Sequence, residues 1–309
     1  MTRFHCPKSL LRLALQNHSY LITGVSKGLG QTLAKQLLKQ GATVHGLSRT
    51  KPKWRHPKFV WYSVDLSDLK VVNQFCHDWS RDNTVLDGII NNAAVIPSVH
   101  TTTAEGFEMQ WTVNYLSAVL LTGQLASKLH SITGRIVNVS STAHHSVHGR
   151  LAAIHFDDIH SHHRSYDQWA AYAQSKLALT IYTRQLAEKH TDVGVASVHP
   201  GWVATDIAPS RLPQSLYPTF DRLLRRKGLC TEWEGIQPIL AALLLPKDEI
   251  HSGEMLCQIG YYDGISSNQK ASHMGWLLPS PNPIVYDQTI GYRLEKLTTS
   301  QLSSVLDQS

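Results

Sequence analysis

The chain has 309 residues, 42% of them hydrophobic, which suits one large domain with a filled core and excludes a disordered or fibrous chain. No run of about 18 or more uninterrupted apolar residues occurs, and residues 1–20 lack an apolar stretch with a small-residue cleavage site, so the reading is a cytoplasmic protein, neither exported nor membrane-spanning. Lys and Arg exceed Asp and Glu, 29 to 23, for a formal net charge of +6; the excess attracts phosphorylated cofactors but is too diffuse to imply nucleic acid.

In chain order, the LLRLAL piece near the N-terminus fits either a helix packed on the domain or an amphipathic turn on a membrane surface, which leaves a weak membrane-surface association open. The first strand, SYLITG (19–24), runs into Thr23-Gly24-Val25-Ser26-Lys27-Gly28-Leu29-Gly30. A glycine turn between a strand and a helix lets backbone N–H groups and the helix N-terminus hold a pyrophosphate. The second strand, ATVHGL (42–47), ends in Ser48-Arg49, with no carboxylate to bond a ribose 2′-hydroxyl. Arg49 and Lys27 suit a 2′-phosphate instead, which favours NADP(H); two solvated surface cations are the alternative.

Strands follow at FVWYSV (59–64), LDGIIN (86–91) and GRIVNVS (134–140), the last delivering Ser140 and Ser141 to the same rim as the glycine turn. Ser141 reads either as a bond to a substrate carbonyl or as a loop cap. Residues 142–168 read as a long loop beside the site. Its histidines, His144, His145, His148, His155, His160, His162 and His163, suit a surface loop better than zinc, because no i, i+4 pair with a carboxylate recurs. In Tyr172-Ala173-Gln174-Ser175-Lys176, Tyr172 and Lys176 share one helix face, and a neighbouring lysine cation favours the phenolate, which makes tyrosine a usable acid or base.

The last two strands are VGVASVH (193–199) and GEMLCQIG (253–260). Between them, residues 200–228 carry Trp202, Leu212, Leu216, Tyr217, Phe220 and Leu223, residue types that suit an apolar lid or core packing, and the RLLRRK run (222–227) reads as an amphipathic helix. The tail from 261 has weak periodicity. The alternation predicts an α/β fold, a doubly wound, mostly parallel seven-stranded Rossmann sheet with helices on both faces, in a single domain over 1–309 with its core at 18–260. Four separated cysteines suggest neither disulfides nor a cysteine zinc site.

Together these residues resemble the short-chain dehydrogenase/reductase family, single-domain branch, over residues 19 to about 260: TGVSKGLG at 23–30, Asp65 in VDL, Asn91-Asn92-Ala93-Ala94, Asn114 in VNY, Ser141, YAQSK at 172–176 and HPGWVATD at 199–206. The resemblance implies Tyr172 as proton donor or acceptor, Lys176 on the nicotinamide ribose, and Ser141 polarising the substrate oxygen. It implies Asn114 behind Lys176 in a water relay, Asp65, Leu66, Asn92 and Ala93 beside the adenosine, and Val203 and Thr205 near the carboxamide. Ala94 departs from the family's usual glycine by one methyl. The long interval from Ser141 to Tyr172 is similar to retinol-dehydrogenase-like and WW-domain-oxidoreductase-like members, which implies a small lipophilic aldehyde, ketone or alcohol as substrate and a homodimer or homotetramer as the family habit. A catalytically weak NADP-binding sensor or scaffold stays open beside the enzyme; an extended-branch epimerase is disfavoured by the glycine spacing.

Overall fold

A computed structural model describes residues 5–81, 84–203, 229–250, 252–257, 260–262, 271–273, 276–278 and 282–307. Eight strands form the main sheet: β1 (Ser19–Thr23), β2 (Thr43–Ser48), β3 (Phe59–Ser63), β4 (Gly88–Asn91), β5 (Arg135–Val139), β6 (Gly194–His199), β7 (Met255–Cys257) and β8 (Gly260–Tyr262). Their order is β3-β2-β1-β4-β5-β6-β7-β8. Every pairing is parallel except β7 with β8. The predicted seven-stranded, doubly wound sheet is therefore present, with an antiparallel edge strand added. The expected strand at 253–260 is shorter, Met255–Cys257, and its last residue, Gly260, already belongs to β8.

Among the described residues, a single turn at Lys8–Leu11 precedes the longer helices, α1 (Gly28–Lys39), α2 (Leu69–Arg81), α3 (Ser117–Leu125), α4 (Gln168–Lys189), α5 (Glu232–Leu244) and α6 (Gln288–Leu306). Directly before α3, Met109–Trp111 is α-helical and Thr112–Leu116 is wound as π helix, so one rod runs from 109 to 125. Successive strand residues face opposite sides, and β1 shows the division: Leu21 packs into one core, Tyr20 and Ile22 into the other. The first core lies under α2, the rod, α4 and α6; the second lies under α1 and α5. Leu33, Ala34, Leu37 and Leu38 line the buried face of α1, and Leu69, Val72, Phe75, Cys76 and Trp79 that of α2. At this helical spacing each buried Leu or Phe contributes roughly 1.5–3 kcal/mol.

The tail is more regular than its sequence suggests. Asp287 caps α6 by accepting from Thr289 and Ile290 N–H. Leu294 and Val305 enter the first core. Between them two polar residues, Thr298 and Gln301, occupy the buried face and hide its apolar period: Thr298 bonds the Tyr115 hydroxyl at 2.7 Å, and Gln301 accepts from the Trp111 indole at 3.0 Å. Among the described residues no helix is long and apolar enough to cross a membrane. The segment 204–228, with Thr205, most of the expected lid and the RLLRRK run, lies outside the described residues.

Candidate active site

The parallel strands deliver their carboxyl ends to one rim, where the chemistry-bearing residues collect. After β1, Gly24 and Gly28 take φ of +77° and +63°, a backbone that side chains rarely adopt. Gly30 is required for a different reason: a Cβ there would lie 2.3 Å from the Gly24 carbonyl oxygen. The α1 N-terminus carries no side-chain cap, so its first N–H groups face the turn in the manner that suits a phosphate. Val25 is fully buried, the Ser26 carbonyl accepts from Gln31 at 2.9 Å, and Lys27 and Arg49 stand exposed at the rim. Leu29 and Val203 both close on Gly235 in α5, where a Cβ would meet them at 2.6 and 2.7 Å. Gly235 thus belongs with the turn, although nothing in the local sequence marked it.

Asn92 and Ala93 sit on the neighbouring strand end, and their backbone N–H groups are already committed. Both donate to the Thr23 hydroxyl at 3.0 Å, and the Asn92 side chain donates to the Thr23 carbonyl at 2.8 Å. What they present to a nucleotide is therefore surface, not N–H. Asp65 accepts from the Ser67 backbone and hydroxyl at 2.9 and 2.7 Å, closing a turn after β3, and Leu66 beside it is buried in the first core.

The candidate reacting groups gather between β5 and α4. Asp167 caps α4 by accepting from Trp169 and Ala170 N–H. Five residues later Tyr172 emerges half-buried, and Lys176, one turn on, is only 1% exposed. The Lys176 ammonium donates to the Val139 carbonyl at 2.7 Å and lies 5.8 Å from the Tyr172 ring centre. Burial brings its pKa down to about 7. Burial pushes the Tyr172 phenol up to about 12, while a hydrogen bond from Ser141 pulls in the opposite direction. Ser141 and Tyr172 therefore meet. Ser141 is also the cap its alternative reading required, because its Oγ accepts from Ala143 N–H at 3.3 Å.

Asn114 lies in the π turn, 1% exposed. Its carbonyl oxygen accepts from Val95 N–H at 2.8 Å, and its amide donates to the Val95 carbonyl and the Ser175 hydroxyl, each at 3.1 Å. The side chain is thus spent tying the loop after β4 to α4. Beneath it a second polar string, Asn91 to Asn138 at 2.7 Å and Asn138 to Thr183 at 2.9 Å, crosses β4, β5 and α4.

The segment after Ser141 is a wall with interior contacts. It holds a small hairpin, Ser146–Val147 with Arg150–Leu151, turning at His148 and Gly149. Ala152, Ile154 and Ile159 enter the first core. Gln174, inside the YAQSK motif and 1% exposed, accepts from His155 N–H and donates to the Ile159 carbonyl, both at 2.9 Å. Two of the histidines are structural: His144 is buried, and His160 accepts from Glu108 N–H at 3.1 Å. Burial brings each of them down to about 4, so both are neutral at pH 7. Among the described residues no group of three His, Cys, Asp or Glu is placed to hold a metal ion.

A profile of the family described as short chain dehydrogenase matches residues 19–153. Retinol dehydrogenase 12 of Bos taurus is 32% identical over 83% of this chain and 83% of its own length. Retinol dehydrogenase 11 of Homo sapiens is 32% identical over 83% of the chain and 82% of its own length. Retinol dehydrogenase 13 of Mus musculus is 34% identical, and there the match spans 65% of this chain and 62% of that protein. Among solved structures, an uncharacterised protein from Mycobacterium paratuberculosis superposes with a TM-score of 0.72 at 23% identity, over 97% of this chain and 98% of its own. The NADPH-bound carbonyl reductase from chicken fatty liver gives 0.58 at 20% identity, over 83% and 97%. At these identities the structures speak for the fold.

Proposed function

The chain belongs to the short-chain dehydrogenase family, and we propose that it is an NADP-dependent oxidoreductase exchanging a hydride with the carbonyl or alcohol carbon of a lipophilic, retinal- or retinol-like substrate. The observation that carries this reading is the meeting of Ser141, Tyr172 and Lys176 at one strand end. The turn also fits a dinucleotide: Gly24 and Gly28 hold left-handed backbone, and Gly30 lets the first turn of α1 close against the Gly24 carbonyl, where no Cβ would fit.

A bound nicotinamide supplies the hydride. Ser141 donates to the substrate oxygen and orients the carbonyl. Tyr172, protonated at neutral pH because burial disfavours its phenolate, hands its proton to that oxygen as negative charge develops there. Lys176, held by the Val139 carbonyl, binds ribose hydroxyls and, when charged, eases the loss of the phenolic proton. Asn114 keeps α4 in register with the β4 loop through Val95 and Ser175. On the nucleotide side, Ser26, Leu29 and Gly30 shape the phosphate turn, Asp65, Leu66, Asn92 and Ala93 border the adenosine, and Val203 borders the carboxamide. Lys27 and Arg49, with no acid after β2, take the 2′-phosphate. The 309 residues act as one domain.

The retinoid part of the reading rests on the names of the relatives and on the lengthened segment after Ser141. NADPH and NADH oxidation measured against a panel of aldehydes and ketones that includes retinal tests it. A lower KM for NADPH and turnover of lipophilic aldehydes are expected. Preference for NADH would overturn the cofactor assignment, and cofactor binding without turnover of any panel member would favour a sensor or scaffold.

A further inference from the structure

We propose that Asn282, in the C-terminal extension, is a positioning residue for Ser141, so that this extension completes the reacting centre. The proposal rests on the role given to Ser141 above. Asn282 has no exposed surface, and an amide so placed must have its polar atoms satisfied. Its Nδ2 donates to the Ala152 carbonyl at 2.8 Å, the His145 carbonyl at 3.2 Å and the His144 carbonyl at 3.4 Å. Its Oδ1 accepts from Ile284 N–H at 3.2 Å. One side chain therefore clamps both sides of the hairpin at its base, where Ala152 N–H also donates to the His145 carbonyl at 2.9 Å.

From that base to Ser141 the chain has little freedom. His144 donates twice to the Ser141 carbonyl, from its backbone N–H at 3.1 Å and from ring Nδ1 at 2.5 Å. His145 N–H closes the same 3₁₀ turn on Thr142 at 3.0 Å. Because Ala143 N–H occupies a lone pair of Ser141 Oγ, the hydroxyl proton is turned away from the turn and toward the phenol and the substrate oxygen. A shift of the clamp moves the turn, and the turn carries the hydroxyl. Near a reacting bond a displacement of about 1 Å costs about a hundredfold in rate.

The test uses the full chain, NADPH, and retinal as the probe, with decanal in its place if decanal is turned over faster. Asn282→Asp keeps the acceptor for Ile284 and replaces the donors with a carboxylate facing three carbonyl oxygens. It should lower kcat by about 10- to 100-fold while leaving the NADPH dissociation constant and the KM for NADPH within about twofold, a split that general loosening of the fold would not produce. Asn282→Ser, which retains one donor, should lose less than the aspartate variant, with about a fivefold deficit in kcat. In a Ser141→Ala background both substitutions should have less than about a twofold further effect, because the group they position is gone. If the aspartate variant does not fold, the serine variant carries the same cycle.

Full kcat in a folded Asn282→Asp chain, or for the serine variant where the aspartate one does not fold, would overturn the proposal. So would a loss that multiplies unchanged with that of Ser141→Ala. Either result, with Ser141→Ala itself slow, leaves the functional reading intact. A Ser141→Ala enzyme of undiminished kcat would instead overturn the role of Ser141, and this proposal with it.

Discussion

The two ends of the candidate site are built differently. Around Ser141, Tyr172 and Lys176 almost every polar atom has a fixed partner: Lys176 on Val139, Asn114 on Val95 and Ser175, Gln174 on His155 and Ile159. At the other end, Arg49 stands exposed after β2 and Lys27 stands exposed in the glycine turn after β1. On the proposed reading the first end would hold reacting atoms to fractions of an ångström, which suits its being bound up with the core. On the same reading the second would attract a charged, mobile group, which cations on exposed stems do without rigid support. Substitutions at the buried end should therefore mix catalysis with stability, whereas those at the rim should change binding alone.

Tyr172→Phe gives the largest effect and separates the two properties at the buried end. It should lower kcat about 10³-fold with NADPH affinity unchanged in a fluorescence titration, and near-normal kcat would break the contrast. Acid should expose the stability side. His144 carries a folded-state pKa of about 4 against 6.5, so the folded protein binds fewer protons than the unfolded chain between those values. Stability is therefore retained above pH 6.5 and lost as pH falls toward 4, by at most about 3 kcal/mol for this one imidazole at about 1.4 kcal/mol per pH unit. Melting curves from pH 7.5 to 4 on the native chain and on His144→Asn would check this, the variant showing a shallower fall.

Gly30→Ala forces a methyl against the Gly24 carbonyl and should cost about 1–3 kcal/mol together with cofactor affinity, read by melting and titration. Arg49→Ala is the smallest and cleanest. The KM for NADPH should rise about tenfold, that for NADH should stay level, and the melting temperature should barely move. A rim variant that unfolds the protein would erase the distinction drawn here.

The strands were legible because their runs are apolar and β-branched, as strands covered on both faces must be. Of the candidate reacting residues, Ser141 was legible because it falls at the end of such a run, and Tyr172 and Lys176 because they stand four apart on one helix. The helix Gln288–Leu306 was not, since Thr298 and Gln301 interrupt its apolar face and find their partners at Tyr115 and Trp111, far away in sequence. The same applies to Asn282 and Gly235, whose roles exist only through distant neighbours. The histidines carry a related lesson: composition suggested a solvated loop, but His144 is enclosed and His160 half-enclosed, because backbone groups nearby supply their hydrogen bonds. The edge strand β8 escaped because the run 253–260 reads as one strand and ends where the chain reverses.

The reach of the C-terminal contacts also bears on the order of assembly. Asn282 meets Ala152 across 130 positions, Tyr115 meets Thr298 across 183, and Trp111 meets Gln301 across 190. Closing such long loops is slow compared with pairing β1, β2 and β3, which are neighbours in both sequence and space. During synthesis the nucleotide half of the rim therefore takes shape early, and the wall around Ser141 tightens only after residues 282–307 have docked.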